Sequence, residues 1–184
     1  MTKLAVALSV LLAASPAFAV EVAGVDVAPT AAVGGKTLSL NGAGIRTKFF
    51  FKVYVGALYL ERKASSRDAV LGDPGDKLVR MYFVHKKVEK EKIVGAFAEG
   101  LRENSPDVAG TAGARAFLSW FTTDFVAGDT VDISLASDGT VSAARNGKPL
   151  GTLRDPALSG AVLRIWFGEK PADAALERGM LGRD

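Results

Sequence analysis

"NGAGIRTKFFFKVYVGALYL", residues 41–60, decides how this chain folds. Aromatic and β-branched side chains dominate from Ile45 to Leu60, the composition of a strand packed on other apolar surface. Gly42 and Gly44 precede that run, and one arginine, Arg46, stands at its start. Successive strand side chains point to opposite faces. Strict alternation therefore places Phe49, Phe51, Val53, Val55, Ala57 and Tyr59 on one face, and Arg46, Lys48, Phe50, Lys52 and Tyr54 on the other. On that count Arg46 shares the more polar face and projects into water. A bulge at the glycines would shift the phase by one and turn it inward. Phe50, Leu58 and Leu60 also mark the second face as partly covered. Whether the guanidinium meets solvent or an anion in an apolar cleft is the functional question.

The segments around this run order as strands, helices, hairpins and a final helix. "VEVAGVDV" (20–27) reads as a first strand, and "KTLSLNGAG" (36–44) as a short strand ending in a Gly-rich turn. A loop with one helical turn follows the long strand, closed by Pro74-Gly75, and "KLVRMYFVHK" (77–86) is the next strand. In residues 89–104, Ile93, Val94, Phe97 and Leu101 recur at helical spacing. Phe117, Leu118, Phe121 and Phe125 repeat that spacing within 112–128. Asp138-Gly139 and Asn146-Gly147 are strong two-residue hairpin signals and predict three short antiparallel strands over 129–153. Pro156 opens a helix that Gly168 ends, and a short helix follows Pro171. The pattern predicts an α+β domain, an antiparallel sheet with the helices on one face.

Residues 1–19 are set apart from that domain, which begins at residue 20. Lys3, an apolar run from Leu4 to Ala14, and Ala17-Phe18-Ala19 follow the order of a secretory signal peptide, with cleavage predicted after Ala19. The run is shorter than the roughly 20 residues a spanning helix needs. A periplasmic or secreted chain with no transmembrane anchor is therefore expected. With no cysteine, such a chain has no disulfides, no thiolate nucleophile and no sulfur ligands for a metal. His85 is the only histidine, so neither a histidine metal site nor a cofactor is expected.

Lys and Arg number 23 against 20 Asp and Glu, for a net charge of +3, without the basic stripe that nucleic-acid binding needs. "HKKVEKEK" (85–92) mixes both signs and reads as a solvated turn. "GAGIR" precedes a strand rather than opening a helix, so it is not a phosphate loop. His85 has cationic neighbours and no carboxylate placed to orient it, and reads as an exposed strand-end residue. Trp120 and Trp166 lie on apolar helical stretches, as core residues or as the wall of a pocket.

Two segments together resemble the chalcone isomerase-like family. "GAGIRTKFFFKVYVGALYLE" is similar to its Gly-x-Arg start and Gly-x-x-Tyr-Leu strand, and "LSGAVLRIWFGEKPADAALERGMLG" to its closing helices. The resemblance implies an open-faced β-sandwich with a ligand cleft between the sheet and a helix layer. It maps the family arginine onto Arg46, and implies either fatty-acid binding or chalcone-type intramolecular cyclisation. A guanidinium suits both, because it grips a carboxylate through two parallel hydrogen bonds and can stabilise a developing enolate. The family's catalytic threonine becomes Val53, no tyrosine stands in 85–91, and the helical asparagine finds only Ile93, Val94, Gly95 and Ala96. The expectation is a non-catalytic carrier of a small amphipathic carboxylate, with Arg46, Tyr54 and Tyr59 at the head group. Phe49, Phe51, Phe97, Trp120, Phe121 and Trp166 would line the tail. An isomerase and an envelope interaction module with a vestigial cleft are the alternatives.

Overall fold

The computed structural model describes residues 20–183; the expected signal peptide lies outside the described residues. The described chain opens with a hairpin of β1 (Val20–Val22) and β2 (Val25–Val27), then β3 (Thr30–Val33), β4 (Lys36–Lys48) and β5 (Phe51–Leu60). Helix α1 (Arg67–Gly72), strand β6 (Lys77–Phe83) and a short β7 (Lys87–Val88) follow. The helical layer begins with α2 (Lys90–Asn104), α3 (Pro106–Ala109) and α4 (Ala112–Ser119). After a two-residue β8 (Phe125–Val126) comes the meander of β9 (Thr130–Leu135), β10 (Thr140–Arg145) and β11 (Lys148–Arg154). Helices α5 (Pro156–Phe167) and α6 (Ala174–Met180) close the fold. Seven strands form one antiparallel sheet, in the order β11-β10-β9-β6-β5-β4-β3. It curls until β3 approaches β6.

The meander follows from its turns. Asn146 and Gly147 both hold positive φ, 51° and 76°, as the tight hairpin turn requires. Two expectations fail for a related reason. Residues 20–27 turn back at Ala23-Gly24, where both φ are positive. The long strand expected over 45–60 is folded at Phe49-Phe50, while β4 continues through the glycines expected to form a turn, with one irregularity in its pairing between Leu40 and Gly42. Those glycines answer a packing need instead. A Cβ on Gly44 would stand 2.7 Å from the Leu176 carbonyl oxygen, and one on Gly42 would strike the backbone of Gly179. The backbone of α6 lies directly on β4 because neither strand residue has a side chain.

Both ends of α6 are tied down. Asn41 Nδ2 donates to the Met180 and Ala64 carbonyls at 2.8 and 2.9 Å, and its Oδ1 accepts from Ala64 N at 2.7 Å. At the other end Asp173 caps the helix, accepting from Ala175 N and Leu176 N through Oδ1, while Oδ2 accepts from Thr47 N at 3.1 Å.

Register sets what each face carries. Consecutive Arg46 and Thr47 pair with Tyr54 and Lys52, so Val53 is an extra residue in β5. A bulge of this kind breaks the alternation. Val53 and Tyr54 both pack with the helix-side core, beside Leu58 and Leu60. Val55, Ala57 and Tyr59 face a second, smaller core with Val27, Leu38 and Leu78. From Val53 onward, neither face of β5 is a solvent face. Arg46, opposite Tyr54, therefore turns toward the helices rather than into water, which corrects the reading that its polar company implied.

Glycine substitutions separate these packing demands. Gly44→Ala drives a methyl into helix backbone and is expected to lower unfolding free energy by about 2 kcal/mol or more. Gly95→Ala, in the middle of α2 with open space around its Cβ, is expected to gain about 0.8 kcal/mol. Urea denaturation of the two variants should show opposite signs.

Candidate functional site

Between the turn end of the β4–β5 hairpin and the first half of α2 lies a cavity of about 780 Å³. The hairpin contributes Arg46, Phe49, Phe51 and Val53, and α2 contributes Ile93, Gly95 and Ala96. Helix α2 holds its place through Phe97 and Leu101, buried in the main core, and through Gly100, where a Cβ would meet Ile165 at 3.0 Å. Its first turn is fixed from outside: Asp124 Oδ1 accepts from Lys90 N at 3.1 Å, since the Glu89 side chain does not cap. Gly95 places no side chain over the cavity. The rim carries Lys48, Lys87, Lys92 and Arg102 among Glu89, Glu91 and Glu99. His85 lines the wall, its ring edge-on to Phe51 at 5.4 Å.

Arg46 is the cationic group set deepest in the hairpin wall. It is half-buried, and its guanidinium carbon stands 6.0 Å from the Tyr54 ring centroid. No carboxylate pairs with it among the described residues. Asp173, which accepts from the amide of the next residue Thr47 and from two amides of α6, makes no ion pair with Arg46. Beneath Arg46, Tyr54 is 2% exposed and its hydroxyl accepts from Trp166 Nε1 at 3.1 Å. Since an indole can only donate, the phenolic proton keeps no acceptor among the described residues.

The other expected site residues lie elsewhere. Tyr59 faces the second core: its hydroxyl donates to the Ala28 carbonyl at 2.9 Å and meets the Tyr82 hydroxyl at 3.3 Å. The expectation that it serves the cleft is corrected by the side of the sheet it occupies. Phe97, Phe121 and Trp166 do not line the cavity either. They pack on one another, with Phe97 5.3 Å from Phe121 and 5.8 Å from Trp166, and form core. Trp120 lies against Phe117 and over the backbone of Gly151 in β11. Helical spacing marks an apolar stripe without showing whether neighbours close over it. Val53, His85 and Ile93 were missed as wall residues. The bulge that turns Val53 inward leaves no sequence signal, whereas Ile93 at the open end of its stripe was a readable one.

Burial pushes the Tyr54 phenol above its ordinary range, opposed in part by the Arg46 charge and the Trp166 hydrogen bond. Burial and the bond to Tyr82 raise Tyr59 as well. Folding thus favours the neutral phenols. Their contribution is whole below the ordinary tyrosine value of about 10 and is lost as pH climbs through the raised folded values. Urea midpoints should fall as pH rises above about 10, with phenolate absorbance lagging that of the unfolded chain. Tyr54→Phe leaves the buried Trp166 N–H without an acceptor and is expected to cost about 1–3 kcal/mol, read by the same denaturation.

Residues 19–182 match the family described as chalcone isomerase-like. The chain belongs to that family. No curated protein matches it. Among solved structures, the chalcone isomerase-like chain is similar to the crystal structure of a fatty-acid binding protein of Arabidopsis thaliana. The TM-score is 0.60 at 16% identity, over 83% of this chain and 95% of that one. This likeness establishes the fold: a curled antiparallel sheet under a layer of helices, in agreement with the architecture expected from the sequence.

Proposed function

We propose that this chalcone isomerase-like chain binds a small amphipathic carboxylate, such as a fatty acid, without transforming it. The supporting observation is Arg46, a half-buried cation with no ion-pair partner among the described residues, in a cavity whose wall also carries Phe49, Phe51, Val53 and Ile93 and whose rim carries lysines, Arg102 and three glutamates. A guanidinium taken partly out of water regains its lost interactions when a carboxylate docks on it in the paired geometry. Tyr54, buried behind Arg46, does not line the cavity and backs the guanidinium from the core. The apolar wall suits an acyl tail, and the volume is in the range of small-molecule sites. The fatty-acid binding protein that shares the fold supports the same class of ligand.

The binding reading is favoured over cyclisation because no cavity-lining side chain carries a hydroxyl or amide. Val53, Ile93, Gly95 and Ala96 stand where the family resemblance expects polar groups. A lone electrostatic donor does not supply the positioning that such chemistry needs. Export, with cleavage after Ala19, belongs to the same proposal: the intact mass of protein recovered from the producing cell should begin at Val20.

Native mass spectrometry after gentle purification tests the head-group assignment. The wild-type protein is expected to carry a co-purified carboxylate lipid, and Arg46→Ala to lose at least about tenfold in affinity, the scale of a charge-assisted hydrogen bond. Equal occupancy in both overturns the assignment. Chalcone consumption above the spontaneous rate would establish the enzyme instead.

A further inference from the structure

The tip of the β4–β5 hairpin carries the largest solvent-facing apolar side chains among the described residues. Phe49, Phe50 and Phe51 are 83%, 96% and 60% exposed. Single exposed hydrophobics are ordinary in soluble proteins, but contiguous ones on a projecting element mark an interaction site. The turn chemistry is also wrong for a turn that serves only the fold. Phe49 holds φ at 57°, a left-handed conformation that glycine or asparagine adopts readily and a bulky aromatic disfavours. Solvent exposure and backbone strain coincide on these residues, and such strain clusters at functional sites.

Cations surround the tip. Lys48 and Lys52 flank it in the chain, the Lys48 ammonium 5.7 Å from the Phe49 ring centroid. The contact of His85 with Phe51 brings the adjoining Lys86 to the same end. Lys48, Lys52 and Lys86 are exposed and make no ion pair among the described residues, whereas Lys87 is paired with Asp124 at 2.9 Å. The acidic groups nearby are partly engaged, Glu89 by Lys92 at 2.7 Å and Glu91 by Lys90 at 3.8 Å; Glu99 remains on the cavity rim.

We propose that the Phe49-Phe50-Phe51 tip docks the protein on a lipid bilayer bearing anionic head groups. The phenyl rings would enter the interface while the lysine collar meets the phosphates, the arrangement that combines apolar burial with electrostatic attraction. A second copy of the chain is a poorer occupant, because pairing two tips would set their unpaired lysines against one another. Phe49 and Phe51 also line the cavity, so its mouth opens at the docked end and a ligand could pass from bilayer to cleft with little exposure to water. Docking itself rests on the tip and stands whatever the cleft holds.

Vesicle flotation of the protein beginning at Val20, which contains every described element, tests this directly. Vesicles of phosphatidylcholine alone and of phosphatidylcholine with phosphatidylglycerol are compared. Flotation with the anionic vesicles is expected, weakened by salt. The double variant Phe49→Ser, Phe50→Ser should cut partitioning by about tenfold or more. Lys48→Gln with Lys52→Gln should cut it by about tenfold. Both pairs are exposed, and unchanged near-ultraviolet circular dichroism would show that the fold is retained. Phe50→Trp should shift its emission to the blue on binding and be quenched by brominated acyl chains. Flotation unaffected by the Phe substitutions overturns the proposal, as does no flotation at all. A tip-dependent dimer or protein complex formed without vesicle binding also overturns it. Flotation reads docking alone and is scored separately from ligand content, so failure here leaves the Arg46 assignment standing.

Discussion

The backbone of the last helix rests on the backbone of a strand, and the rest of the architecture is arranged around that contact. Gly42 and Gly44 permit it, because any side chain there would occupy space already held by α6. Hydrogen bonds from Asn41 then fix one end of the helix, while Asp173 fixes the other by taking the Thr47 amide. The consequence reaches the cleft. Asp173 holds the amide of Thr47, next in the chain to Arg46, and so fixes β4 where it forms the cavity wall.

The unpaired cation, Arg46, gives the cavity its character. Phe51, Val53 and Ile93 supply the apolar part of the space beside α2, and lysines, Arg102 and three glutamates its rim. Arg46 sets a half-buried positive charge in the hairpin wall. Behind it the Tyr54 phenol is held neutral by burial and tied to Trp166. The aromatic cluster behind it, from Trp166 through Phe97 to Phe121, serves as a rigid backing rather than as binding surface.

The fold was largely legible in the sequence, because each part of it is written in local patterns. Asp138-Gly139 and Asn146-Gly147 announce the meander, and the stripe of Ile93, Phe97 and Leu101 announces α2. The site was legible in part. Arg46, Phe49 and Phe51 line the cavity, but Tyr59 was assigned to the wrong side, and the buried aromatics of the helices were mistaken for walls. Two features explain the difference. The reversal at Phe49-Phe50 lacks glycine, asparagine, aspartate and proline, so an alternating pattern reads straight through it. The phase of β5 depends on one extra residue that has no chemical signature of its own. Glycines that exist for close approach of a helix also look, in one dimension, like glycines that make a turn.

Val53 gives that last point an evolutionary form. Because it is supernumerary in its pairing with β4, the chain could shorten by one residue there and still zip the two strands together. The pairs Lys48–Phe51 and Arg46–Tyr54 would survive, so Phe51 would keep its face and the cleft would lose only the Val53 side chain. The wall of the cleft can thus be trimmed by the deletion of a single codon while the register of the hairpin is kept, a change that a comparison of matched residues would overlook.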